Sequence, residues 1–367
     1  MNVRFLAVAT VSMSLLLSAL AGCAPEAAPV AESPVSETPA EEDTAAPVEA
    51  EPEPEPADLP FVFPLTGLPT EERTTDRPIV VMVENSPAAR PQTGLHEADF
   101  VYEVLAEGDI TRFIAVYQSV KSEEIGPVRS IRPYFVELGM AVDGILVHAG
   151  WSQEAMNLMA KHKWNHLDQV YGDHEYYWRD KSRKAPHNLY TSVELIRKGA
   201  EARKFRAEWT DPVLTFARSD ADGAAEASAG VGTVVGGEAA TTVTIPYIQG
   251  YTVGYEYDAG SKAYLRTMKG EPHLDKKSGT RLTAANVLVV EAPHRIVDSV
   301  GRREVDVNGP GKGVLLQGGY KREVVWELKN GVIRAYAEEG DLVDLPLLPG
   351  KTWVQIVPDV SKASYGT

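Results

Sequence analysis

One cysteine stands in this 367-residue chain, Cys23, and it follows Leu20-Ala21-Gly22 at the end of an apolar run. That fact limits the folds open to everything after it. The remaining chain has no disulfide, no zinc–thiolate centre and no cysteine nucleophile, so it must hold together through its core alone. The stretch around Cys23 reads as a leader. Asn2–Arg4 is a short basic segment and Phe5–Leu20 is apolar but short for an ordinary transmembrane span. Small residues before the cysteine match a bacterial lipobox, with cleavage expected before Cys23 and residues 1–22 removed as a signal peptide. Cys23 is then the expected lipid-attachment residue, carrying a diacylglyceryl group and, on its amino terminus, a further fatty acyl chain such as palmitate. Each buried methylene contributes about 0.8 kcal/mol, and two or more chains give stable anchoring. The expected location is extracytoplasmic, on the cell membrane within the envelope.

Residues 23–58 form a tether. After Cys23 they carry eleven acidic residues and no Lys or Arg, with many Ala and Pro. Such a composition cannot bury a core. Extended, it reaches on the order of 100 Å at about 3.1 Å per residue. The tether accounts for most of the net charge of −16; only −6 belongs to residues 59–367. With no broad basic face, nucleic acid is not an expected partner.

The folded part has two textures. Over residues 59–210 strand-like and helix-like runs alternate. "RPIVVMVEN" (77–85) reads as a buried strand. "ADFVYEVLAEG" (98–108) and "TRFIAVYQS" (111–119) flank a turn and read as a hairpin. "RSIRPYFVELGMAV" (129–142) turns helical from Tyr134, with Pro133 tolerated in the first turn. "GILVHAG" (144–150) is a second buried strand, and Ser152 an N-cap for a helix over Gln153–His162. Residues 189–202 give another helix, capped by Thr191 or Ser192. This predicts a mixed α/β (α+β) N-terminal domain. Residues 211–241, rich in Ala and Gly, read as a linker or long loop. Residues 242–367 read as a smaller, mostly antiparallel all-β domain, with Asp258-Ala-Gly-Ser and Lys329-Asn-Gly as turns.

The strings "FPLTGLP", "RPIVVMVENSPAARPQTGLHEADFVYEVLAEGDITRF", "GPVRSIRPYF", "RKAPHNLYTS", "YLRTMKGEPHLD" and "PGKTWVQIVP" together resemble the YerB-like lipoprotein family of bacteria. The resemblance spans nearly all of residues 61–358. It implies paired N- and C-terminal domains of unknown function behind a lipobox, at the cell surface. It carries no mechanism with it.

The residues themselves raise one chemical question. "IGPVRSIRPYF" (125–135) sets Arg129 and Arg132 inside an apolar frame. Arginine offers a planar fork matched to phosphate or carboxylate and stays charged. Arg179, Arg183, His187 and Asn188 lie in "WRDKSRKAPHNLY", while His148 and Ser152 mark the strand-to-helix junction "VHAGWS". Open α/β sheets bind ligands at the carboxyl ends of strands. These eight residues are therefore the candidate anion cradle; the competing reading pairs Arg112, Arg129 and Arg132 with Glu103, Glu107 and Glu137. No cofactor and no metal site is expected: the cluster His162, His166, Asp168, His174 and Glu175 lacks HExxH-like spacing and sits in an aromatic-rich loop, which can stack on sugars or pack in the core. "NGPGKG" (308–313) lacks a P-loop's closing Lys-Ser/Thr and reads as a turn, and no G-x-S-x-G is present. His273, Asp275 and His294 are expected as surface or hairpin polar groups.

Three functions follow as expectations. The first is an anchored lipoprotein binding an anionic envelope glycan or lipid, or an envelope protein. The second is a phosphotransferase-like enzyme acting on a phosphate-linked glycan or lipid. The third is a structural adaptor.

Overall fold

The computed structural model describes residues 59–209, 214–219, 225–227, 237–248, 250–340 and 343–367. The signal peptide, Cys23, the tether and most of the 211–241 linker lie outside these residues. Among the described residues no helix is long and apolar enough to cross a membrane.

The fold is a mixed sheet with three helices in the N-terminal region and a separate antiparallel sheet in the C-terminal region. The N-terminal elements are β1 (Ile79–Glu84), β2 (Phe100–Leu105), β3 (Thr111–Tyr117), α1 (Pro133–Ala141), β4 (Ile145–His148), α2 (Gln153–His162), β5 (His166–Asp168) and α3 (Val193–Ala202). The C-terminal region adds β6 (Thr242–Ile248), β7 (Tyr251–Asp258), β8 (Ala263–Met268), β9 (Asn286–Glu291), β10 (Gly311–Gln317), β11 (Tyr320–Lys329), β12 (Val332–Tyr336) and β13 (Thr352–Val357).

The N-terminal strands and the later C-terminal strands share one eleven-stranded sheet. Its order is Glu238–Ala239, β11, β10, β9, β13, β2, β3, β1, β4, β5, with β12 also on β11. The junction is parallel: Thr352 pairs with Phe100 and Gln355 with Glu103. β6, β7 and β8 form the second sheet, extended by Ser364–Gly366 and short strands on β8.

Every residue of β1, β2 and β3 is buried. The reason is that both faces of the sheet are covered. Ile79, Val81 and Val83 share one core with Val243, Ile245 and Tyr255 of the second sheet and with Val193 and Ile196 of α3. Val80 and Met82 share the other with Phe135 and Leu138 of α1 and with Ala155 and Met159 of α2. A strand covered on both sides reads as a continuous apolar run, which is how "IVVMV" reads.

Helix boundaries follow their local signals. Pro133 opens α1 after Arg132 in extended conformation. Ser152 caps α2 by accepting from Ala155 N at 3.3 Å, and Ser192 caps α3 from Leu195 N at 3.2 Å. Leu189–Tyr190, expected inside the third helix, instead pairs with Trp178–Arg179 as a short strand, because the cap at Ser192 fixes the start of α3.

The six strands β1, β2, β4, β5, β9 and β13 run the same way, with β3 antiparallel between β1 and β2. Their carboxyl ends therefore share one edge of the sheet, and the loops leaving that edge carry the polar groups described next.

Candidate functional site at the carboxyl edge of the sheet

β1 ends at Glu84, and Asn85 and Ser86 follow it, three polar residues after a buried apolar run. The segment from Val128 to Ile131 crosses beside it. Arg129 N donates to Met82 O at 2.8 Å, and Ala149 N donates to Arg129 O at 3.0 Å. The segment is thus wedged between the ends of β1 and β4, and this placement sets where its arginines go.

Glu84 is buried and sits between Arg129 and His187. Arg129 Nε lies 3.3 Å from Glu84 Oε2, and His187 Nδ1 lies 2.9 Å from Oε1. Ser86 Oγ donates to the same Oε1 at 2.7 Å and lies 3.2 Å from the same His187 Nδ1. Serine and glutamate meet one ring nitrogen, so the trio is not arranged as a nucleophile–histidine–acid relay, which uses opposite ring nitrogens.

Next to Glu84 in register stands Arg112 of β3. Its amino groups donate to Ser130 O at 2.7 Å and to Glu107 Oε2 at 2.9 Å. Arg132 contacts the other oxygen of Glu107. Burial lowers the guanidinium pKa of both Arg112 and Arg132, which nonetheless stay charged at any working pH. The result is a continuous polar band: His187, Glu84, Arg129, then Arg112, Glu107, Arg132. Along it, Glu84 Oε2, Glu107 Oε1 and the Nε of all three arginines are buried without a partner in hydrogen-bond geometry.

Of the eight residues proposed from sequence, the structure brings Arg129 and His187 together on Glu84 and places Arg132 one carboxylate away. The other five have different surroundings. Arg183 donates to Ala89 O at 2.6 Å and Pro91 O at 2.5 Å. Arg179 donates to Asn188 Oδ1 at 2.9 Å, and Asn188 in turn holds Asp180 O at 3.0 Å, which closes the 180–187 loop. Ser152 caps α2. His148 is wholly buried, with Nδ1 3.1 Å from Gly150 O and its ring stacked on His166. Burial, reinforced by His166, pushes its pKa down to about 3, so it is neutral.

Glu84 and Ser86 were not singled out from sequence. Their signal was present: a polar triplet directly after a buried run marks a strand's carboxyl end. Glu137, expected as an arginine partner, instead lies near Asn308 and Asp306.

A second polar network corrects an expectation. His273 and Asp275 are buried, not surface groups. His273 accepts from Arg266 Nε at 3.0 Å and meets Gln92 at 2.9 Å; Asp275 Oδ2 accepts from Gly94 N at 2.6 Å. The tripeptide "HLD" gives no hint of this, because the burial comes from the N-terminal region folding over it.

Comparison with known proteins agrees with the two-part sequence pattern. Residues 65–206 match the family described as "Protein of unknown function (DUF3048) N-terminal domain", and residues 243–354 match its C-terminal domain. The chain is 41% identical over 302 residues to "Putative lipoprotein YerB" of Bacillus subtilis strain 168, covering 82% of this chain and 87% of that protein. A crystal structure of YerB from Bacillus subtilis superposes with a TM-score of 0.74 at 38% identity, covering 84% of this chain and all of that one. With both halves matched in order and the fold shared, the chain belongs to the DUF3048 family as a YerB-like protein.

Proposed function

We propose that this protein is a lipid-anchored envelope protein that binds an anionic, phosphate-bearing ligand at the carboxyl edge of its main sheet. One observation carries the reading: among the described residues, three guanidiniums, Arg112, Arg129 and Arg132, form their ion pairs with two carboxylates, Glu84 and Glu107. The band therefore holds a surplus positive charge where α/β sheets receive ligands. Arg129 is its most open member, with 30% of the side chain exposed against 14% for Arg132 and 6% for Arg112. His187, on the other oxygen of Glu84, is 26% exposed. An anion approaching this edge meets Arg129 and His187 first. Extracytoplasmic anchoring is supported by the lipobox at Cys23 and by the likeness to a lipoprotein.

The pairing of Arg112 and Arg132 on Glu107 supports a second reading, in which the band is structural and the protein is an adaptor for other envelope proteins. Titration of the full chain in a polyoxyethylene detergent with phosphate and pyrophosphate separates the two. Ligand at a hundred times its dissociation constant adds about 2.7 kcal/mol to the stability of a binding protein. The gain should shrink with added salt and vanish in Arg129→Ala, whose ligand-free midpoint stays near wild type. If no anion moves the wild-type midpoint and Arg129→Ala is strongly destabilised, the adaptor reading stands.

A further inference from the structure

Beside the arginine band lies an aromatic pair that the anion reading leaves unused. Trp151 and Tyr171 stack with ring centroids 4.8 Å apart and planes 26° from parallel. Tyr171 is 64% exposed. Trp151 is half-buried against the core beneath it, Tyr171 lies open on top of it, and the pair is held in place from two sides.

The first hold is the backbone. Trp151 bridges Ile131, the residue between Ser130 and Arg132. Ile131 N donates to Gly150 O at 3.0 Å, and Ser152 N donates to Ile131 O at 3.3 Å. Ser130 Oγ adds a bond to Ala149 O at 2.8 Å. The strand that presents Trp151 is thus the immediate neighbour of the segment that presents Arg129 and Arg132, and paired backbones lie about 5 Å apart.

The second hold is Asp168 at the end of β5. Its Oδ1 accepts from Gly150 N at 2.8 Å and from Val170 N at 3.0 Å. One carboxylate therefore ties together the loop before Trp151 and the loop before Tyr171. Gly150 has φ +77°, and a side chain there would point between Ser130 Oγ, 3.6 Å away, and Val170 Cγ2, 3.7 Å away. Glycine keeps the floor between the arginine segment and the aromatic loop low.

We propose that these two features are halves of one site for a glycosyl phosphate: the sugar ring lies on the open face of Tyr171, which Trp151 backs, and its phosphate meets Arg129 and the band behind it. The inference rests on the anion-binding reading above and names its ligand class. A pyranose fits because it has one apolar C–H face for an aromatic ring and a hydroxyl edge for the polar rim, while the phosphate supplies the charge the band complements. A nucleobase would also stack, but an extracytoplasmic protein meets envelope sugars rather than a nucleotide pool.

The test uses the full chain in the same detergent, with four probes: inorganic phosphate, N-acetylglucosamine 1-phosphate, free N-acetylglucosamine and AMP. Wild type should bind the sugar phosphate about fivefold more tightly than phosphate, an effect of the size stacked contacts contribute. Tyr171→Ala should bring that ratio close to one while leaving phosphate affinity unchanged, and Tyr171→Phe should keep it. A ratio near one in wild type, a ratio indifferent to Tyr171→Ala, or tighter binding of AMP than of the sugar phosphate overturns the glycosyl assignment and leaves anion binding standing. Failure of phosphate and sugar phosphate alike overturns both.

Discussion

The guanidinium of Arg266 and the carboxylate of Glu103 meet at 2.7 Å with both side chains wholly buried, one on the second sheet and the other on the main sheet. The pair is not left to itself. Glu103 also accepts from Tyr251 at 2.6 Å and Thr111 at 2.7 Å, and Arg266 donates to Tyr255 at 2.6 Å and lies over the Trp353 ring at 4.5 Å. Burial alone would lower the arginine's pKa, but Glu103 and the tyrosines more than offset it and raise it. This cluster joins the two sheets through polar chemistry between their apolar faces.

Removing one partner of such a pair leaves a buried charge without compensation, at a cost of about 3–5 kcal/mol. Arg266→Met should therefore lower unfolding stability by that order in urea titrations. Glu103→Gln should cost at least as much, because Arg266 cannot shed its charge and the amide keeps only the bonds from Tyr251 and Thr111. The double variant should show a coupling energy of about 1–3 kcal/mol. Simple additivity would mean that the pair does not act as a unit.

Gly139 tests packing against propensity. It sits on the buried face of α1, and a β-carbon there would collide with Leu146 Cδ2 of β4. An exposed glycine-to-alanine change in a helix gains about 1 kcal/mol, but overpacking a filled core costs about 1–3 kcal/mol. Leu146 is fully buried, so moving its methyl means repacking the layer between α1 and β4. Gly139→Ala should therefore lower the thermal midpoint; a rise would show that α1 stands further from the sheet.

His148 makes stability depend on acid. Its folded pKa is about 3, pushed down by burial and by His166, against an ordinary value of 6.5. Below pH 6.5 the unfolded chain takes up a proton that the folded chain refuses. Stability is therefore present above pH 6.5 and falls as pH drops toward 3, by up to about 1.4 kcal/mol per pH unit from this group. His273, held low by burial and by Arg266, acts in the same direction. Denaturant midpoints between pH 7 and pH 4 should fall less steeply in His148→Gln than in wild type; parallel curves would remove His148 as a source.

Cys23→Ala should abolish lipid attachment and leave an unprocessed precursor or a soluble product. Detergent-phase partitioning checks it, since the wild type should enter the detergent phase. A cleaved variant that still partitions like wild type would contradict attachment at Cys23.

What the sequence alone determined is local. The run Ile79–Glu84, the turn-linked pair β2–β3, Pro133 at the head of α1 and the caps Ser152 and Ser192 all act within a few residues, so pattern and chemistry suffice to place them. The same holds for the turns at Asp258 and Lys329. The tertiary structure decided which elements meet. Thr352–Val357 lies beside Phe100–Leu105 although some 250 residues separate them, because both are apolar on two faces and only the centre of a covered sheet buries both. It decided that Arg129 faces Glu84, since the Met82–Arg129 backbone bond sets where that side chain emerges. It decided, too, that His273 is buried and Arg266 paired, because a charged residue shows nothing in its own neighbourhood about a carboxylate 163 positions away.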